Sequence, residues 1–139
     1  MCQHAINGDK DVKKIALVLF GILSLTACKP GEDKATALAQ KEMVEGLKDP
    51  DSAKFKNLRV TEIHGEQDGS VLATVCGQLN AKNSFNAYVG YKKFILTLAM
   101  KEKGFFSKGV TYSVISKNIL QNELDETIFK YQETCGADE

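Results

Sequence analysis

The sequence predicts an α+β domain: an N-terminal helix, an antiparallel sheet of about four strands, and a C-terminal helix packed on the sheet. Three observations predict it. Ala35, Ala39, Met43 and Leu47 recur every fourth residue, with Leu38 beside them, which is one face of a helix. Between Asn57 and Ser116 the pattern changes to apolar runs and alternation, broken by polar turns that contain glycine. Leu120, Leu124, Ile128, Tyr131 and Cys135 then return to helical spacing. Helix, strands, helix in that order is the signature of α+β rather than of alternating βα units.

Before the first helix lies a different kind of segment. Lys13-Lys14 is a positive start, and Ile15–Leu25 is an apolar run too short to span a bilayer as an ordinary helix. The run ends in Leu25-Thr26-Ala27-Cys28. This resembles a bacterial lipoprotein signal, an aliphatic residue and two small ones before the cysteine. The resemblance implies cleavage of residues 1–27, a lipid on the Cys28 thiol, and a membrane partner reached through that lipid. Each buried acyl methylene contributes roughly 0.8 kcal/mol, so two or more chains hold firmly. Lys29 rather than an aspartate follows Cys28. By the same resemblance that favours onward transport, so the expected location is the periplasm, on the outer rather than the inner membrane. Residues 1–11 fit no part of such a signal. We expect translation to begin at Val12, read as Met from a GTG codon.

Cleavage removes three lysines and two aspartates from a chain with 18 basic and 18 acidic residues, leaving 15 against 16. A near-neutral domain with Arg59 as its sole arginine has no electrostatic reason to bind nucleic acid. The 112 residues from Cys28 to Glu139 divide into a lipidated tether, 28–34, and a single domain, 35–139.

The elements follow in order. Glu32–Lys48 reads as the first helix, with Glu32 and Asp33 at its positive end. Asp49-Pro50 stops it, and Pro50 suits the first position of a new short turn that Asp49 would cap. Asn57–His64 is the first expected strand and Gly65–Gly69 its turn. Ser70–Leu79 is the second, with Val71, Ala73 and Val75 on one face and Leu72 and Cys76 on the other. Tyr88–Met100 is the third. Lys101–Gly109 is a hairpin tip, and Gly109–Ser116 is the fourth strand. Asn118–Thr134 is expected to be mostly helical.

Of four cysteines, Cys2 lies in the leader and Cys28 takes the lipid. Cys76 and Cys135 remain, an even pair in an oxidising compartment, and we expect a disulfide. It would close a loop of roughly 60 residues, for which chain entropy allows about 4 kcal/mol at best. Two buried thiols or a redox pair are the alternatives, but the close spacing of redox motifs is missing. Cys76 alternates away from the apolar Val71/Ala73/Val75 face. Either the last helix covers the Cys76 face, or both faces are covered.

Catalytic chemistry is sparse, and we expect no enzyme and no cofactor. His64 is the one histidine after the leader, and it lies beside a flexible turn. His64, Glu66 and Asp68 alternate in HGEQDG, which a metal would tolerate and a polar hairpin tip explains equally; no metal is expected. Asp125 and Glu126 suit the start of the last helix. Gly104-Phe105-Phe106 puts two aromatics at a tip, to pack inward or to meet a partner. The densest recognition chemistry is CGQLNAKNSFNAYVGYKKF. Asn80, Lys82, Asn83, Ser84, Phe85, Asn86, Tyr88 and Tyr91 combine amides, a cation and rigid aromatic area. Asparagines that close their own turns account for most of this run. Binding is nevertheless expected at Asn80, Lys82, Asn83, Ser84, Phe85, Tyr88 and Tyr91.

KDPDSAKF and VCGQLNAKNSFNAYVGY together resemble a group of small bacterial and prophage proteins. They share D-P-x-S-A-x-F, then V-C-G-x-x-N-A-K-N-S, then a Gly/Tyr-rich turn, over roughly Leu47–Phe94. Asn86-Ala87 stands here where glycine is expected. The group brings no activity with it. It supports the fold and the disulfide. The function that follows is a non-enzymatic envelope lipoprotein that binds a protein or envelope component through the polar-aromatic loop. A prophage-derived exclusion or inhibitor lipoprotein and a hydrolase with an unrecognised site are the alternatives.

Overall fold

The computed structural model describes residues 29–104, 109–120 and 125–138. The expected leader, residues 1–27, the expected lipidation residue Cys28, the aromatics Phe105 and Phe106, and Leu124 lie outside the described residues. So does the side chain of Asp125.

Helix α1 spans Glu32–Val44 and buries Ala35, Leu38, Ala39 and Met43, the predicted stripe. Glu32 and Asp33 sit in its first turn, and the Ala35 N–H donates to the Gly31 carbonyl at 3.0 Å. The helix stops four residues before Lys48. Glu45 takes an extended conformation and Gly46 has φ +87°, a left-handed backbone that glycine adopts without strain. Leu47 still packs against the core from outside the helix. A single 3-10 turn follows at Pro50–Ser52. Asp49 precedes it, but makes no side-chain cap; instead the Ser52 hydroxyl donates back to the Asp49 carbonyl at 2.7 Å.

Strands β1 (Lys54–Gly65), β2 (Val71–Asn80), β3 (Lys92–Glu102) and β4 (Val110–Ile119) form an antiparallel sheet in the order β1-β2-β3-β4. The register runs Val60 to Val75 to Leu96 to Lys117 across it. β1 begins three residues earlier than expected. It carries an irregularity between Lys56 and Arg59, where Asn57 has φ +50°. β3 begins at Lys92 rather than Tyr88, because Gly90 at φ +99° breaks the extended backbone. β4 runs three residues beyond Ser116, since Asn118 and Ile119 complete the ladder with Ile95 and Phe94. The last helix, α2, therefore spans Asp125–Cys135 and does not begin at Asn118.

Both faces of the sheet are covered. α1 lies on the Val71, Ala73, Val75 and Leu79 face, with Phe94, Leu96, Leu98 and Met100 of β3. Phe55 meets Phe94 edge to face at 6.2 Å between centroids. Tyr131 and Cys135 of α2 pack on Cys76 and Ile95 on the other face, with Leu120 against them. Cys76 and Cys135 are disulfide-linked, with 5.9 Å between their Cα atoms. Among the described residues no helix is long and apolar enough to cross a membrane.

Candidate functional site

The segment between β2 and β3, residues 81–91, builds a protruding loop whose shape is held by its own polar groups. Asn83 is the keystone. Its Oδ1 accepts the N–H of Phe85 at 2.9 Å and of Ala87 at 3.2 Å. Its backbone N–H donates to the Ala87 carbonyl, and its carbonyl accepts the Asn86 N–H at 3.0 Å. Asn86 sits at φ +60°, a conformation asparagine tolerates better than most residues. Lys82 and Tyr88 pair as a small antiparallel bridge below this turn.

The loop is tied down at Ser52. The Lys82 N–H donates to the Ser52 hydroxyl at 2.9 Å, and the Tyr88 hydroxyl donates to the Ser52 carbonyl at 3.1 Å. The 3-10 turn that Pro50 begins is thus the footing of the loop. The sequence stretches DPDSAKF and NAKNS meet at this serine.

Lysines surround the base. Lys54 Nζ lies 4.5 Å from the Tyr88 ring centroid and Lys82 Nζ 5.8 Å from it; Lys56 Nζ lies 4.3 Å from that of Tyr91. Lys54 and Lys56 belong to β1, opposite Asn80 and Gln78 in the ladder. Sequence reasoning missed them, because only strand register brings them beside the loop. At the tip, Phe85 is 89% exposed and Val89 58% exposed. Ser84 is exposed as well. Asn80 differs from the rest: its Oδ1 is buried without a hydrogen-bond partner. Of the predicted binding residues, Phe85 offers its side chain freely. Asn83 works inward on the turn, and the two tyrosine rings face lysines.

The HGEQDG tip lies at the other end of β1. His64 Nε2 is 3.2 Å from Glu66 Oε1, with both side chains exposed. Asp68 is occupied elsewhere. Its Oδ1 accepts the Ser70 hydroxyl at 2.6 Å and N–H at 2.9 Å, and these bonds hold its carboxyl below the ordinary value. Its other oxygen faces Lys101 at 3.6 Å. Among the described residues no three His, Cys, Asp or Glu side chains stand together as a metal would require.

A second polar cluster, also missed from the sequence, lies where α2 ends. Arg59 Nε donates to the Cys135 carbonyl at 2.7 Å, and Nη2 donates to that of Gly136 at 3.2 Å. Asp138 faces Arg59 and Lys93 at 3.0 Å each, and accepts from Gln78 at 2.9 Å and Tyr131 at 3.1 Å. Burial pushes the Asp138 carboxyl up, but these four donors outweigh it and hold the carboxyl below its ordinary value. Burial, with the Asp138 charge beside it, pushes the Tyr131 phenol up to about 12. The sole arginine is therefore committed within the domain, capping the end of α2 and pairing with Asp138. No family model, no curated protein and no solved structure matches this chain.

Proposed function

We propose that this chain is a non-enzymatic lipoprotein of the bacterial envelope, anchored through Cys28, that binds a protein or envelope component through the 81–91 loop. The address rests on the Lys13-Lys14, Ile15–Leu25 and LTAC pattern. The single observation that carries the binding role is the exposure of Phe85 at the tip of a loop fastened by Asn83 and Ser52. With Val89 also exposed, the ordered loop offers apolar area to a partner. The fixed, protruding shape also favours the second reading, an inhibitor or exclusion lipoprotein that blocks its target. The hydrolase alternative gains nothing from His64, whose near neighbour is Glu66 rather than a serine or aspartate.

Two measurements test the proposal. Cys28→Ser should lose incorporation of a fatty-acid probe, and equal label on variant and wild type would refute the anchor. Phe85→Ala should leave urea unfolding unchanged while weakening recovery of cross-linked complexes from membranes. Undiminished recovery would refute the loop's role.

A further inference from the structure

The described chain starts beside one end of β1, and the loop stands at the other. Lys29 Nζ lies within 3.5 Å of where a side chain on Gly65 would begin. The loop is bonded to Ser52, two residues before β1 starts at Lys54. β1 has 12 residues, so these ends are roughly 35 Å apart at strand rise. A domain anchored just ahead of Lys29 therefore presents the loop away from the anchoring bilayer. That argues against the lipid surface that an apolar tip above a cationic base would otherwise suit.

The loop's chemistry narrows the occupant. Tyr88 and Tyr91 already hold ammonium groups near their rings, so they are poor platforms for stacking a flat ligand. The free aromatic is Phe85, on a projection rather than in a groove. Among the described residues Lys54, Lys56 and Lys82 pair with no carboxylate, so three cations stand at the base of the loop, below the apolar tip. A rigid projecting aromatic is complementary to a recess, and its lysines are complementary to acidic groups at the rim.

We propose that the 81–91 loop inserts Phe85 into an apolar recess, edged by carboxylates, on a folded protein that lies on the side away from the anchoring membrane. This rests on the reading of the loop as the binding surface. The test places a photoreactive benzoylphenylalanine at position 85 or 89 of the full chain in intact cells, with Ile115 on β4 as the control position. The expected result is one protein adduct of discrete mass from 85 and 89, absent from 115. The adduct should fall at least tenfold in the Lys54→Glu, Lys56→Glu double variant, with its circular dichroism unchanged. The partner so identified, purified and titrated with the purified full chain, should bind at least tenfold more weakly at high salt. Adducts to lipid or to a glycan would overturn this partner class while keeping the loop as a binding surface. Equal labelling at 85 and 115, or none at 85 and 89, would overturn the loop reading as well.

Discussion

Asp138 draws donors from Arg59, Gln78, Lys93 and Tyr131, residues scattered over most of the domain. Asp138→Asn should therefore cost about 1–2 kcal/mol, discounted for partial exposure of its partners. Because its folded carboxyl titrates below the unfolded one, this contribution is present above about pH 4 and is lost as pH falls through the folded value. Urea midpoints of wild type and variant should differ at pH 7 and converge towards pH 2. Tyr131 acts in the opposite sense. Its phenol is raised, so stability should decline as pH rises from about 10 towards 12, and Tyr131→Phe should remove that decline. None of this cluster was legible in advance. Asp138 follows Gly136 at the end of a helical pattern, and nothing periodic links it to residues 59, 78 or 93. Asn83 was legible, since asparagines in a short polar run imply turn closure. Asn83→Ala should speed hydrogen exchange at the Phe85 and Ala87 amides while the sheet amides stay protected.

β2 contains a tight spot at Gly77. A methyl group on Gly77 would lie 2.7 Å from Leu58 Cδ2 and 3.1 Å from the Phe94 ring. Gly77→Ala should cost about 1–3 kcal/mol by overpacking, measurable in urea, with no change at the loop tip. α1 and the four strands were readable because their apolar periods differ, 3.6 against 2. The errors fell at element ends. Leu120 matches the helical spacing of α2, yet it packs as the residue after β4, its N–H donating to the Lys93 carbonyl. Spacing alone cannot separate a strand's last residue from a helix's first when both face the same apolar cluster. Lys54 and Lys56 stayed hidden for a related reason, as their neighbours are set by register and not by sequence.

The molecule as a whole is a sheet with two unequal coverings. α1 has a broad apolar stripe against three strands, while α2, with 11 residues, buries chiefly Tyr131 and Cys135. A helix of that length is marginal alone in water. Reduction, or Cys135→Ala, should cost about 2–4 kcal/mol and release α2 before the sheet. Hydrogen exchange under reductant should show early loss in α2 and late loss in β2 and β3; simultaneous loss would mean that Arg59 and Tyr131 suffice. The Cys76–Cys135 bond also imposes an order of events on biosynthesis. Its halves are 59 residues apart, so Cys76 emerges well ahead of Cys135 as the chain is delivered N-terminus first. During that interval all four strands, each pairing with its neighbour in the chain, become available to assemble. The bond therefore fastens a sheet that can already exist, and until Cys135 arrives Cys76 is a thiol awaiting its partner, open to whatever oxidant or competing thiol reaches it first.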